Sequence, residues 1–213
     1  MDFASAREEM VEEQILGRGV RDPAVLTAMR TVPREAFVPP RLANQAYEDR
    51  ALPIAEGQTV SQPYIVAAMV QAAGLSAGDR VLEVGAGSGY AAAVISRIAG
   101  KVFGIERDDG LTRAARARLD ALGYRNIELL TGDGAAGWPE AAPFGAIIVS
   151  AGGLRVPEPL WRQMREGSRL VMPVGPTYDQ RLLCFTRHVD GFDQEDLGGV
   201  RFVALVTDEA TQA

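Results

Sequence analysis

Residues 81–90 read Val81-Leu82-Glu83-Val84-Gly85-Ala86-Gly87-Ser88-Gly89-Tyr90, a short apolar run that leads directly into a glycine-rich turn. The apolar run predicts a buried β-strand, and the residues after the turn predict a helix that begins at Tyr90. In open α/β sheets, ligands bind beyond the carboxyl ends of the strands, where glycines let the backbone approach them closely. The segment therefore predicts a nucleoside-bearing cofactor at this turn.

The spacing of the glycines narrows the class of cofactor. A dinucleotide-binding turn has glycine at its first, third and sixth positions, whereas here the glycines are Gly85, Gly87 and Gly89 and the sixth position is Tyr90. The turn also lacks the Gly-Lys-Ser/Thr ending that binds a triphosphate. With dinucleotides and triphosphates disfavoured, the turn predicts a nucleoside ligand that has no pyrophosphate.

From Arg80 onward, short apolar runs alternate with helical segments, which is typical of a parallel sheet covered by helices. The predicted strands are residues 81–84, 102–105, 127–131, 146–150 and 168–173. The predicted helices are residues 90–99, 111–122 and 157–165, ended by left-handed caps at Gly100, Gly123 and Gly167. The alternation predicts a doubly wound α/β fold.

The C-terminal region predicts two more strands, residues 181–187 and 200–206. They surround the turn signals Asp190-Gly191 and Gly198-Gly199, and the simplest arrangement is an antiparallel pair at the edge of the sheet.

The N-terminal region predicts helices and wrapping loops. Asp22 followed by Pro23 is typical of a helix start, and four prolines interrupt residues 33–53. We expect residues 1–75 to form an N-terminal subdomain and residues 76–213 the cofactor-binding α/β domain, in one compact unit.

Two carboxylates follow the second and third predicted strands of the sheet. Glu106 ends the second strand about 20 residues past the glycine turn, where an acidic side chain can accept hydrogen bonds from both ribose hydroxyls. Asp133, beside Gly134, ends the third strand and can accept a hydrogen bond from an adenine amine. Together with the glycine turn, these residues predict S-adenosylmethionine as the cofactor.

Composition limits the other functions of the chain. A formal net charge of -6 gives no basic footprint for nucleic acid. Cys184 and His188 are the only cysteine and histidine, so neither an internal disulfide nor a metal site is expected. No apolar stretch reaches the length of roughly 18 residues that a membrane span needs, and the polar, acidic N-terminus predicts a cytoplasmic location.

Several motifs together point to one family. They are Met10-Val11, Arg18-Gly19-Val20, Val32-Pro33-Arg34-Glu35-Ala36-Phe37-Val38-Pro39, Ala46-Tyr47, Ala51-Leu52-Pro53-Ile54, Gly57-Gln58-Thr59-Val60-Ser61-Gln62-Pro63, the glycine turn, Ile105-Glu106-Arg107, Gly132-Asp133-Gly134 and Pro173-Val174-Gly175. From about Met10 to about Leu205 the chain resembles the protein-L-isoaspartate O-methyltransferases. The element that contains Ser61 is far more specific than the glycine turn, which many methyltransferases share.

The resemblance implies a Rossmann-like class I methyltransferase sheet and a repair activity. The enzyme would transfer a methyl group from S-adenosylmethionine to the free carboxylate of L-isoaspartyl residues in damaged proteins and peptides. The ester then collapses to a succinimide, whose hydrolysis partly restores a normal aspartyl linkage. A carboxylate is already ionised at neutral pH and needs no general base, which suits a chain with one histidine.

The resemblance also implies roles for single residues. It places Ser61 beside the transferable methyl group and the substrate carboxylate, and Gln58, Thr59 and Val60 among the cofactor contacts. Judged by its position alone, Ser61 is simply a good N-cap for a helix that begins at Pro63. By analogy with the family, residues 203–206 form backbone contacts to the peptide. A monomer is expected.

Three positions depart from the family pattern. Gly145 stands where the family usually has Asp, which would weaken a structural hydrogen bond. The loop Ser150-Ala151-Gly152-Gly153-Leu154 differs from the usual Thr-Ala-Ala type, and Ala204 replaces a usual Pro. The last two departures border the expected peptide site, so they bear on substrate identity more than on the cofactor.

Alternative functions follow from these departures. The chain could methylate an aspartate in one dedicated peptide, although some relatives with that role carry an extra C-terminal region. A small-molecule or RNA methyltransferase is disfavoured by the Ser61 element and by the net charge. A non-catalytic protein that binds S-adenosylmethionine is the alternative from another functional class.

Overall fold

The computed structural model describes residues 2–208. The strands are β1 (Leu52–Pro53), β2 (Thr59–Val60), β3 (Arg80–Val84), β4 (Lys101–Glu106), β5 (Ile127–Thr131), β6 (Phe144–Val149), β7 (Met164–Val174), β8 (Gln180–His188) and β9 (Gly191–Val200). The α-helices are α1 (Phe3–Glu9), α2 (Pro23–Thr31), α3 (Pro63–Ala73), α4 (Tyr90–Ser96), α5 (Asp109–Ala121) and α6 (Glu158–Arg162). None of the helices within residues 2–208 combines the length and the apolar character that crossing a membrane requires.

Seven strands form one mixed sheet in the order β5-β4-β3-β6-β7-β8-β9. Strands β3 to β7 run parallel, while β8 and β9 are antiparallel to their neighbours. The chain builds outward from β3 to β5 and then returns to the other side of β3 with β6. Because the direction of winding reverses between β3 and β6, a crevice for ligands is expected at their carboxyl ends. The predicted fold class is confirmed.

Side chains of successive strand residues pack on opposite faces of the sheet, because strand side chains alternate. On β3, Val81 belongs to an apolar cluster with α3 and α4, whereas Leu82 and Val84 belong to a second cluster on the other face. Both faces of the central strands are therefore buried, which explains why these strands read as continuous apolar runs.

The N-terminal region shares its core with the sheet. Met10, Val25, Met29 and Phe37 are buried in the same cluster as Tyr90 of α4. Asp22 caps α2 as predicted, since its carboxylate accepts hydrogen bonds from the backbone N–H groups of the first turn. The proposed division of the chain at residue 75 stays a prediction.

Two of the predicted helix ends are wrong. Helix α6 stops at Arg162, because Met164 already pairs with Phe144 as the first residue of β7. Gly167 has a φ of 74° but lies inside that strand, so it caps no helix. Helix α4 ends at Ser96, before Gly100, where a Cβ would lie 2.8 Å from the carbonyl oxygen of Ala77. The cap at Gly123, with a φ of 79°, is confirmed.

The last predicted strand is also wrong. Strand β9 ends at Val200, and Gly198-Gly199 lies within it, not in a turn. The turn at Asp190-Gly191 is confirmed and joins β8 to β9. Residues 201–206 instead leave the sheet edge and return to the carboxyl end of β6, where Ala204 forms an isolated parallel bridge with Gly152.

Candidate active site

The glycine turn after β3 is fixed by the neighbouring strand. The N–H groups of Gly85 and Ala86 both donate to the carbonyl oxygen of Ile105, at 2.8 and 3.0 Å. Gly85 and Gly89 each have a φ of 85°, a conformation that L side chains rarely adopt. At the carboxyl ends of β3 and β4, the turn therefore presents backbone that no glycine side chain covers.

Glu106 is held against this turn by two backbone donors. One carboxylate oxygen accepts from the N–H of Gly87 at 2.8 Å, and the other accepts from the N–H of Asp108 at 3.0 Å. A carboxylate oxygen has two acceptor sites, so each retains one for a ligand. The geometry suits a group with two neighbouring hydroxyls, such as a ribose.

A cavity of about 1310 Å³ opens at this end of the sheet. Seven of the sequence-predicted residues line it, namely Gln58, Thr59, Ser61, Gly85, Gly87, Glu106 and Gly134. The size exceeds that of an ordinary small-molecule site, so a nucleoside cofactor and part of a peptide can share it. Within residues 2–208, no group of three or more His, Cys, Asp or Glu side chains is placed to hold a metal ion.

Three predicted cofactor residues do not line this cavity in the described part of the chain. Val60 is buried and pairs with Leu52 in the small sheet β1-β2. Gly89 is the N-cap of α4. Direct contact of Val60 and Gly89 with a cofactor stays a prediction.

Asp133 is the third of these residues, and the C-terminal segment engages its side chain. One carboxylate oxygen accepts from the N–H of Ala135 and the other from the N–H of Asp208, both at 2.9 Å. Asp208 also forms an ion pair of 2.9 Å with Arg107, which lines the cavity. The C-terminal segment thus crosses the site beside the predicted adenine contact.

Ser61 is not the N-cap of α3, which corrects that interpretation. The N-cap is Gln62, and Ser61 lies one residue earlier, after β2. Its hydroxyl makes no hydrogen bond to any residue in the range 2–208, and the residue lines the cavity. The hydroxyl is therefore available to a ligand in the same cavity as the glycine turn and Glu106.

Sequence reasoning missed other residues of the cavity wall. Arg18 lies with its guanidinium 3.5 Å from the centre of the Tyr64 ring and forms an ion pair of 3.1 Å with Asp49. It stands in one of the motifs that carried the family resemblance, but no role was assigned to it. Gln180 also lines the cavity, and nothing in its local sequence marks it.

Glu83 is a buried acid directly below the glycine turn. It is 1% exposed, and its Oε2 has no hydrogen-bond partner among the described residues. Burial, followed by the negative charge of Glu106, raises the pKa of the Glu83 carboxyl well above its ordinary value. The folded protein therefore keeps this carboxyl protonated at pH values where the unfolded chain ionises it.

Replacing Glu83 with glutamine should make the stability of the protein less dependent on pH. The stability that comes from the protonated carboxyl is fully present below the ordinary carboxyl pKa, and it is lost as pH rises toward the raised folded-state pKa. Glutamine is neutral throughout, so we expect E83Q to melt close to the wild type at about pH 5 and above it at about pH 8. Thermal unfolding across this range checks the expectation, and an equal offset at every pH would contradict it.

Comparison with known proteins identifies the family of the chain. The profile of the family "Protein-L-isoaspartate(D-aspartate) O-methyltransferase (PCMT)" matches residues 5–210. Protein-L-isoaspartate O-methyltransferase 2 of Pelobacter propionicus is 57% identical over 202 residues, which cover 94% of this chain and 90% of the relative. Protein-L-isoaspartate O-methyltransferase of Methylorubrum extorquens is 59% identical over 206 residues, which cover 96% and 90%.

Solved structures give the same result. A structure named protein-L-isoaspartate O-methyltransferase matches with a TM-score of 0.85 and 30% identity, and the match covers 95% of this chain and 66% of that one. A putative family member from Plasmodium falciparum, described in complex with S-adenosyl-L-homocysteine, has the same fold with a TM-score of 0.81 at 24% identity, over 94% of this chain and 98% of that one. The resemblance seen in the motifs is confirmed: the chain belongs to the protein-L-isoaspartate(D-aspartate) O-methyltransferase family.

Proposed function

We propose that this protein transfers a methyl group from S-adenosylmethionine to the free carboxylate of L-isoaspartyl residues in damaged proteins. The observation that carries the proposal is the free hydroxyl of Ser61, which opens on the same cavity as the glycine turn and Glu106. The family membership supports the same reaction. The product ester would collapse to a succinimide, and hydrolysis of the succinimide would partly restore the normal linkage.

The residues at the glycine turn fit the cofactor. The bare backbone of Gly85 and Gly87 allows close approach, and the oriented carboxylate of Glu106 can accept from both ribose hydroxyls. We assign the remaining cofactor contacts to residues around the glycine turn and Glu106, namely Gln58, Thr59, Val60, Gly89, Asp133 and Gly134. S-adenosylmethionine supplies a methyl group on a positively charged sulfur.

The substrate carboxylate would be positioned by Ser61 and by the start of α3. The Ser61 hydroxyl can donate one hydrogen bond to a carboxylate oxygen. Gln62 and Ile65 also line the cavity, so the amino end of α3, with its partial positive charge, borders it. An ionised carboxylate needs no base. The contribution of this chain to lowering the activation barrier would therefore come mainly from orienting the two reactants.

The breadth of substrates distinguishes repair from methylation of one dedicated peptide. We expect kcat/KM to vary by less than about tenfold among isoaspartyl peptides of unrelated sequence, because the proposed contacts involve the carboxylate and the backbone. A panel of such peptides, assayed at saturating S-adenosylmethionine, measures this. A preference of about 100-fold or more for one sequence would favour a dedicated partner. Cofactor binding without turnover of any peptide would favour a non-catalytic role.

We also propose that the protein is a monomer. The exposed strand β9 carries the charged or polar residues Asp193, Gln194, Glu195 and Asp196 at the edge of the sheet, and charges on an edge oppose pairing with a second copy. Sedimentation velocity should give one species of 22.8 kDa, and a dimer at micromolar concentration would refute the proposal. The cytoplasmic location stays a prediction.

A further inference from the structure

Gln180 is a buried polar residue whose side chain serves a distant backbone segment. It is the first residue of β8 and only 3% exposed. Its Oε1 accepts from the N–H of Phe202 at 2.7 Å, and its Nε2 donates to the carbonyl oxygen of Phe202 at 3.4 Å. One side-chain amide thus satisfies both backbone groups of one residue, as a neighbouring strand would do.

Residues 201–206 make two backbone–backbone hydrogen bonds with other residues in the range 2–208, while the side chains of Phe202 and Leu205 pack against the core. The N–H of Gly152 donates to the carbonyl oxygen of Val203 at 2.8 Å, and the N–H of Leu205 donates to the carbonyl oxygen of Gly152 at 2.7 Å. Gly152 therefore holds the odd-numbered residues on one edge of this extended segment. Gln180 holds Phe202 on the other edge.

The same alternation leaves Ala204 free. Backbone groups of residues i and i+2 point to the same edge of an extended chain, so the N–H and C=O of Ala204 face the edge that Gln180 occupies at Phe202. Neither group has a hydrogen-bond partner among residues 2–208, and Ala204 is exposed. Residues 201–206 also line the cavity that Ser61 lines. A free pair of backbone groups that lines the same cavity as Ser61 is suited to pair with an extended peptide.

The packing around Gln180 is specific. A Cβ at Gly152 would overlap the Gln180 amide, so the glycine at this position leaves the space that the amide fills. The departure from the family's Thr-Ala-Ala loop at Gly152 thus accompanies a close contact in this chain.

We propose that Gln180 is a positioning residue for the substrate peptide: it holds residues 201–206 extended, so that Ala204 can pair with the peptide backbone while Ser61 meets the carboxylate. The inference rests on the proposed methyl transfer to isoaspartyl peptides. It assigns no chemical step to Gln180, which does not touch the reacting atoms. Its effect should therefore fall on peptide binding and leave cofactor binding unchanged.

The first test replaces Gln180 with methionine, which has a similar volume and no amide. We expect the peptide KM to rise about tenfold at saturating S-adenosylmethionine, with the affinity for S-adenosylhomocysteine unchanged in calorimetry. Hydrogen exchange should accelerate in residues 201–206. If the wild type is active and Gln180→Met has the same peptide KM, the inference is overturned. A loss of cofactor affinity as large as the rise in peptide KM would also overturn it.

The chain offers a matched control in Gln163. It is 5% exposed, and its amide also forms two hydrogen bonds with backbone groups. It accepts from the N–H of Trp138 at 2.7 Å and donates to the carbonyl oxygen of Ala136 at 2.8 Å. Gln163→Met should match Gln180→Met in lost thermal stability but leave the peptide KM unchanged. A similar rise in KM in both variants would show a general loss of structure and overturn the assignment.

A second variant, Gln180→Glu, covers the case in which the methionine variant does not fold. A protonated glutamic acid can accept and donate as the amide does, whereas an ionised one cannot donate to Phe202. Burial favours the protonated form, so the KM of Gln180→Glu relative to the wild type should fall as pH is lowered from about 8 to about 6. A ratio that does not change with pH would count against the inference. If the wild type methylates no isoaspartyl peptide, the proposed function fails. The hydrogen-exchange rates of residues 201–206 still test whether the Gln180 amide holds this segment through Phe202.

Discussion

Replacing Glu106 with alanine should weaken binding of S-adenosylhomocysteine by about 100-fold or more. The change removes the two hydrogen bonds that we propose ribose hydroxyls donate to this charged acceptor. Each such bond contributes about 1.5–3 kcal/mol, and about 1.4 kcal/mol corresponds to a factor of ten. It also frees the N–H groups of Gly87 and Asp108, which the carboxylate now orients. Titration calorimetry measures the affinity directly.

Glu128→Ala is the control for this experiment. Glu128 lies on the adjacent strand β5, where it forms an ion pair of 2.6 Å with Lys101 and does not line the cavity in the described part of the chain. Its removal should cost less than about 1 kcal/mol of stability and leave cofactor affinity unchanged. If Glu106→Ala bound within about twofold of the wild type, Glu106 would have no direct role in binding the cofactor.

Replacing Ser61 with alanine should lower kcat on an isoaspartyl peptide by about 10- to 100-fold. The hydroxyl has no hydrogen-bond partner among residues 2–208, and Ser61 lines the cavity. Its proposed role is to orient the carboxylate for attack, which is worth a few kcal/mol. The affinity for S-adenosylhomocysteine should stay the same, because the proposed ribose contacts lie at Glu106. Steady-state kinetics and calorimetry on the same preparation separate the two effects.

Ser76→Ala makes the same chemical change at the opposite end of β3, in an exposed position. It should leave both kcat and cofactor affinity at wild-type values. A kcat for Ser61→Ala equal to that of Ser76→Ala would remove Ser61 from the reaction. A loss of cofactor affinity as large as the loss in kcat would reassign Ser61 to the cofactor.

The centre of the fold was predictable because its signals are local. Val81, Leu82 and Val84 are all apolar because both faces of β3 are buried. The glycine turn follows immediately, and Glu106 ends the adjacent strand, so the parallel register brings the two together. A short stretch of sequence therefore contains both the turn and the carboxylate that orients it.

The edge of the sheet was not predictable in the same way. Strand β9 contains Asp193, Gln194, Glu195 and Asp196, because an edge strand with exposed faces needs no apolar pattern. The residues that follow Arg201, from Phe202 to Val206, are apolar but leave the sheet to line the cavity. Their apolar character was therefore mistaken for that of a sheet strand.

Contacts between residues that are distant in sequence were not predictable either. The amide of Gln180 accepts from the N–H of Phe202 and packs against Gly152, and the carboxylate of Asp133 accepts from the N–H of Asp208. Gly145 is a similar case: a Cβ there would overlap the carboxylate of Asp79, which accepts from the N–H of Ser76 and pairs with Arg165. At Gly145, where the family usually has Asp, the carboxylate of Asp79 therefore occupies the space that a side chain would need.

The most direct test of the account is methylation of two peptides that are identical except for one aspartyl or isoaspartyl linkage. The purified protein is incubated with radiolabelled S-adenosylmethionine and each peptide, and base-labile methyl ester is counted. We expect the isoaspartyl peptide alone to be labelled. Labelling of both peptides alike, or of neither while cofactor binding is intact, would contradict the proposed repair activity.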